Sequence, residues 1–223
     1  MVALSARLPR APLWYLHRTA SVGAVSVEWL AYAGSVLMTS MSLPQIARII
    51  RDRSADGVSL LTWVIFALSG ASWFAYGLLL AAPGIIVGNV PFILTTAPVV
   101  MLLLRRQRNW SWPLAAVVPV LGVAVAVLVL LQLPAGVSGG IGVACGLLTT
   151  VPQLLESLRR RRADLPSEVA LGTLILLLAG QCLWLSYGIF RPDVPILLTN
   201  VVAVSVTVCL VMVEGGRRRA ATP

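Results

Sequence analysis

Two pairs of side chains carry the chemistry this sequence can offer: Trp73 with Asn89, and Trp184 with Asn200. Asn follows Trp by 16 residues in both places, and the pairs stand 111 positions apart. A carboxamide both donates and accepts hydrogen bonds, which suits neutral hydroxyls better than ions. The flat indole face suits the apolar C–H face of a sugar ring. An amide set in hydrocarbon costs free energy unless paired, so such an Asn serves either helix packing or a substrate path. Tyr76 lies three residues after Trp73, and Tyr187 three after Trp184, so each tyrosine shares a helix face with its tryptophan. Membrane tryptophans commonly belong to an interfacial belt. Trp73 instead falls well inside an apolar stretch, and its match with Trp184 points to a two-sided aromatic clamp.

The elements that position these groups are written twice. Leu43-Pro44-Gln45 returns as Val151-Pro152-Gln153, 108 positions later, and Trp73-Phe74-Ala75-Tyr76-Gly77 returns as Trp184-Leu185-Ser186-Tyr187-Gly188, 111 later. Three motifs in one order at nearly one offset imply a duplicated unit. Two related halves in an apolar chain can enclose one site at their seam. Pro44 and Pro152, with Gln45 and Gln153, fall near matching helix ends. Proline removes a backbone donor and crowds the preceding turn. One copy reads equally as a helix end; two copies read as paired hinges.

The chain is 58% hydrophobic and 11% charged, against about 25% charged in ordinary globular domains. Seven stretches suffice to cross a ~30 Å hydrocarbon layer: 29–48, 58–80, 84–104, 113–133, 137–158, 167–190 and 193–213. The fourth lacks the repeated motifs and serves as a connector. The expected fold is therefore an all-α membrane protein, two three-helix units and one linking helix in a 3+1+3 order. A tail over 1–27 is expected to lack fixed structure. The first unit then covers 28–107, the connector 108–134, the second unit 135–214 and a basic tail 215–223.

The net charge of +9 does not indicate nucleic acid, because the basic residues, all arginine, are sorted by topology. Arginine clusters follow spans one, three, five and seven, while the connections after spans two, four and six hold only Arg191. Short Arg-rich loops stay cytoplasmic, which places the N-terminus outside and the C-terminus inside, in a bacterial inner membrane. Arg7, Arg10 and Arg18 in the tail run against that rule. Cys145, Cys182 and Cys209 are odd in number, lack CxxC spacing and read as small apolar residues. Gly142 and Gly146 form a GxxxG packing pattern, not a dinucleotide loop. No catalytic constellation, metal cluster or cofactor motif is found, which excludes an enzyme. No Asp or Glu falls mid-span; Glu28 and Asp193 sit at the outer edge. Proton-driven carriers place a carboxylate within the membrane, so passive transport is expected, with Glu28 the counter-candidate if span one starts earlier.

Two Pro-Gln units, seven helices and the Trp-x-x-Tyr-Gly…Asn pattern resemble the SWEET sugar transporters and their half-size bacterial relatives, the SemiSWEETs, over roughly 29–213. The resemblance is closest from Trp184 to Asn200. It implies two parallel bundles and a sugar pocket lined by Trp73, Asn89, Trp184 and Asn200. It also implies an outer gate of Tyr187, Arg191 and Asp193, with Tyr76 retained in the first unit. The first unit has Leu80 and Ala82 where the second has Arg191 and Asp193, so the gate is expected to be polar on one side only. The partners expected are a mono- or disaccharide and the lipid bilayer, with pairing of chains left open. Two alternatives stand beside a sugar uniporter. One is a carrier of another small solute such as an amino acid; the other is a non-transporting receptor or scaffold using its Arg-rich loops.

Overall fold

A computed structural model describes residues 22–40, 42–55, 58–163 and 171–221. The elements described are all helical: α1 Val22–Ser40, α2 Ser42–Arg51, α3 Leu60–Leu79, α4 Pro83–Gln107, α5 Trp112–Leu130, α6 Ala135–Arg162, α7 Leu171–Phe190 and α8 Val194–Ala221. Six of these, α3 to α8, are long and apolar enough to cross a membrane.

The difference from the expected seven spans lies in the first. A single span over 29–48 is replaced by α1 and α2. Pro44 has no N–H to give the carbonyl of Ser40 and crowds that carbonyl sterically. The helix accordingly stops at Ser40, and Pro44 falls in the first turn of α2, where backbone donors have no helical partner anyway. Pro152, its repeat mate, stands inside the unbroken α6. The two proline sites are thus locally unlike. α1 also begins at Val22, inside the stretch expected to be a tail; residues 1–21 lie outside the described residues.

Local chemistry sets the other boundaries. Ser59 caps α3 by accepting the Thr62 N–H at 3.2 Å, and α4 opens on Pro83, where the missing donor costs nothing. Gln107, at the end of α4, donates to the carbonyls of Ala55 at 2.9 Å and Val58 at 2.7 Å, pinning the loop that precedes α3.

Packing follows the duplication. α4 packs on α1 and α3, and α8 packs on α6 and α7. Between these groups α1 lies against α7, and α6 against α3. The first helix of each unit therefore meets the second helix of the other. α1 and α7 approach closely because Gly34 faces Gly180: a Cβ on either would stand 3.1 to 3.2 Å from the other's carbonyl oxygen. α5 leans on α3 and α4 and turns Val117, Val120, Leu121, Val125 and Leu128 outward.

Replacing Gln107 by Ala frees two loop carbonyls and is expected to lower stability by about 1–2 kcal/mol. Thermal unfolding in detergent measures this, and an unchanged midpoint would show that the loop is held by other contacts.

Candidate functional site

A cavity of about 780 Å³ lies between the two units. That is large for a ligand pocket but within the usual few hundred to ~1,000 Å³. Trp73, Asn89, Trp184 and Asn200 all line it. From them it runs past Phe66 and Phe92 to Arg48, Ser59, Thr62 and Pro152, at the arginine-rich end of the helices.

The tryptophans are seated on glycine. Trp73 of α3 lies on Gly142 of α6, where an added Cβ would meet its ring at 2.8 Å. Trp184 of α7 lies on Gly34 of α1, at 2.9 Å, and on Gly88 of α4. Gly34 and Gly142 stand 108 positions apart, the offset of the Pro-Gln pairs. Each ring is thus backed by the other unit's first helix. The amides are fixed just as symmetrically. Asn89 Nδ2 donates to the Ile85 carbonyl at 2.8 Å, and Asn200 Nδ2 to the Ile196 carbonyl at 2.9 Å. One amide proton anchors the side chain to its own helix turn, and the remaining capacity of the amide is left for the cavity.

Beyond the tryptophans the seam is closed by polar contacts between units. Tyr76 donates from its hydroxyl to Asp193 Oδ2 at 2.6 Å, while the Ile196 N–H donates to Oδ1 at 3.0 Å. Arg191 Nη2 lies 2.6 Å from Glu28 Oε1, and the Tyr187 hydroxyl lies 3.5 Å from Glu28 Oε2. Both tyrosine rings are buried and stack edge-on against their tryptophans at 5.5 to 5.8 Å. This polar cluster and the cavity are therefore in direct contact through the Tyr–Trp pairs. Burial pushes the Asp193 carboxyl above the usual carboxylate range, and the bonds from Tyr76 and the Ile196 N–H oppose that rise.

Polar groups reach this end from both units, against the expectation of polarity on one side only. Leu80 and Ala82 contribute no charge, but α1 of the same unit supplies Glu28, buried to 8% exposure. Because α1 starts at Val22, Glu28 stands in its second turn and not at its outer edge. Gly84 leaves room for it, since a Cβ there would collide with Glu28 Oε2. The equivalent of Glu28 in the second unit is Gly136, so the duplicated pattern gave no sign of it. A buried carboxylate with no copy, near an arginine with no copy, was the available signal.

No Asp or Glu lines the cavity among the described residues. Its polar atoms come from hydroxyls and amides, with Arg48 near the mouth. Pro152 lines the wall, while the side chains of Pro44, Gln45 and Gln153 lie outside the described residues. Cys145, Cys182 and Cys209 are free thiols, and no group of three potential metal ligands occurs among the described residues.

Comparison with known proteins points to one family. Residues 25–107 match a family described as a sugar efflux transporter for intercellular exchange. The sugar transporter SemiSWEET of Leptospira biflexa is 39% identical over 62 residues, 28% of this chain and 73% of that protein. The SemiSWEET of Escherichia coli is 29% identical over 66 residues, 30% of this chain and 74% of that protein. The solved structure of a eukaryotic SWEET transporter superposes with a TM-score of 0.73 at 14% identity, covering 89% of this chain and all of that one. At that identity the likeness speaks for the fold.

Two outcomes follow for the gate. Arg191→Ala strands the Glu28 carboxylate, and loss of one partner from a buried pair costs about 3–5 kcal/mol. The closed gate should open, read as faster labelling of a cysteine placed at Ser35, and Glu28→Gln in the same chain should recover part of the closure. Labelling that is unchanged by Arg191→Ala would remove the pair from the gate. For Asp193, a carboxyl raised by burial is destabilising when ionised, so closure should strengthen as pH falls through its raised value. Asp193→Asn should remove that part of the pH dependence; identical profiles would contradict it.

Proposed function

Because the chain belongs to the SWEET and SemiSWEET family of sugar transporters, we propose that it is a passive sugar carrier working by alternating access. It is a multi-pass membrane protein. Its finer topology is read as α1 with α2, α3 and α4 forming one bundle, α6, α7 and α8 a second parallel bundle, and α5 the connector, in 3+1+3 order. Among the described residues Arg191 is the one arginine at the gated end and the arginine clusters lie at the other, so the gate is read as facing outside and the C-terminus the cytoplasm of a bacterial cell, with Arg7, Arg10 and Arg18 against the rule.

The observation that carries this reading is that Trp73, Asn89, Trp184 and Asn200 line one cavity that holds no carboxylate among its described lining residues. A sugar ring stacks its apolar faces between the indoles and exchanges hydrogen bonds with the two amides. Glu28, Tyr76, Tyr187, Arg191 and Asp193 hold the outer end shut, while the cavity runs to the arginine-rich end. Rocking of the bundles about the seam breaks the outer contacts and closes the inner path, with Pro44-Gln45 and Pro152-Gln153 as the inner flexing points. Binding should be weak, since a tightly held sugar would not leave; a millimolar constant is about −4 kcal/mol, within reach of two amides and two ring faces.

Glu28 is the one feature that favours proton coupling, since it is a carboxylate buried in α1. Its pairing with Arg191 assigns it to the gate instead. Uptake of a mono- and disaccharide panel into liposomes, with and without a proton gradient, separates the two. Passive carriage predicts sugar flux down its own gradient and no stimulation by protons. Asn200→Ala should cut flux by more than tenfold, the loss of a hydrogen-bonded contact at a buried site, with assembly intact by gel filtration. Accumulation driven by a proton gradient would overturn uniport, and full flux in Asn200→Ala would remove that residue from the site.

A further inference from the structure

The two halves of the cavity are not chemically alike. On the α1–α7 side, the Gln181 carboxamide is buried to 3% exposure and its Oε1 has no hydrogen-bond partner. Thr39, on the facing helix α1, is buried to 8% exposure and its Oγ1 is likewise unpartnered. Both residues line the cavity. A buried amide oxygen left without a donor costs about 1–3 kcal/mol, so such a group persists where something else supplies the donor.

The duplication shows how unusual these positions are. At the offset of 111 that relates the tryptophans, Gln181 corresponds to Gly70, and Ala203 to Phe92. On the α3–α6 side the Phe92 ring fills the space above Gly70, where a Cβ would meet it at 3.1 Å. On the other side the matching positions hold the small Ala203 and the polar Gln181, and both line the cavity. At the offset of 108 that relates the first helices, Thr39 corresponds to Leu147, which also lines the cavity. Large and apolar on one side answers to small plus polar on the other. The α3–α6 side has polar lining too: Ser69, opposite Gly180; Thr62, matched by Thr173 on α7; and Thr149 and Thr150, whose hydroxyls donate to carbonyls of their own helix.

We infer that Gln181 and Thr39 form a hydroxyl-reading subsite on the α1–α7 side, which accepts hydrogen bonds from the sugar and fixes it in one of the two orientations that the symmetric tryptophan–asparagine frame would allow. This rests on the sugar-carrier reading. The frame alone is nearly two-fold and a sugar is not, so the frame cannot choose an orientation. Gln181 and Thr39 break the tie by offering acceptors on one side, while Phe92 and Leu147 offer an apolar wall on the other. The subsite therefore selects sugars by the position of a donating hydroxyl, not by size alone.

The test uses the full chain in liposomes. The probe is whichever of glucose, galactose and mannose is carried fastest, competed by its analogues in which one hydroxyl at a time is replaced by fluorine, which cannot donate. In the unaltered protein, at least one analogue should compete about tenfold less well, the usual worth of one buried hydrogen bond. In Gln181→Leu that analogue should compete as well as the parent sugar, while penalties at hydroxyls met by the asparagines remain. Gln181→Asn, which withdraws the same amide by one methylene, should also lose the discrimination and serves if the Leu variant does not assemble. Thr39→Val should erase a penalty at the same or the adjacent hydroxyl. The same analogue ranking in unaltered and Gln181-substituted protein would overturn the subsite while leaving sugar carriage standing. No flux of any sugar would instead strike the carrier reading itself.

Discussion

The arrangement depends on a charge contact that neither unit makes alone. Arg191 comes from the second unit and its partner Glu28 from the first. A charged group at such a position is expensive to leave unpaired, so the two units are drawn together at that end. Asp193 adds a second cross-seam contact, accepting a hydrogen bond from Tyr76. Once the gated end is cross-bridged, the cavity between the units has its path at the other. On the proposed carrier cycle, a rigid-body motion of one unit against the other has to break these bonds before the cavity can open at this end. Because Tyr76 and Tyr187 stack edge-on against Trp73 and Trp184, the cross-bridged end and the cavity share side-chain contacts.

The aromatic frame needs small residues as much as it needs indoles. Gly34 and Gly142 allow each tryptophan to lie back against the opposite unit's first helix, which keeps the space between the rings free. Gly34 also permits the close crossing of α1 and α7 at Gly180. One glycine therefore serves helix packing and pocket shape together. In a membrane, where lipid is as apolar as any side chain, such close packing is the main force available to hold helices together.

What could be read from sequence followed the duplication, and what could not lay where the copies differ. Trp73, Asn89, Trp184 and Asn200 were visible because each indole and amide had a mate at a fixed spacing, and the structure brings the four to one cavity. Helical membrane architecture was visible in composition and in the sorting of arginine. Glu28 was legible only as an outer-edge acid and a proton-coupling counter-candidate; its pairing with Arg191 was not, because its mate is Gly136 and its helix starts earlier than the apolar pattern indicates. Gln181 was hidden for the same reason, with Gly70 as its mate. The break at Ser40 was hidden because Pro44 and Pro152 look alike in sequence, while only one of the two interrupts its helix. Symmetry finds the frame and is blind to the features that give the frame a direction. Those features, an unmatched acid and an unmatched amide, are the ones on which the proposed gate and the proposed hydroxyl-reading wall rest.

The central claim is that one sugar occupies the space between the two tryptophans, and a density map of the sugar-bound protein tests it most directly. The account predicts a single ring stacked between Trp73 and Trp184, with the Asn89 and Asn200 amides at hydrogen-bond distance from its hydroxyls. Sugar density outside that cavity, with the four side chains untouched, would contradict it.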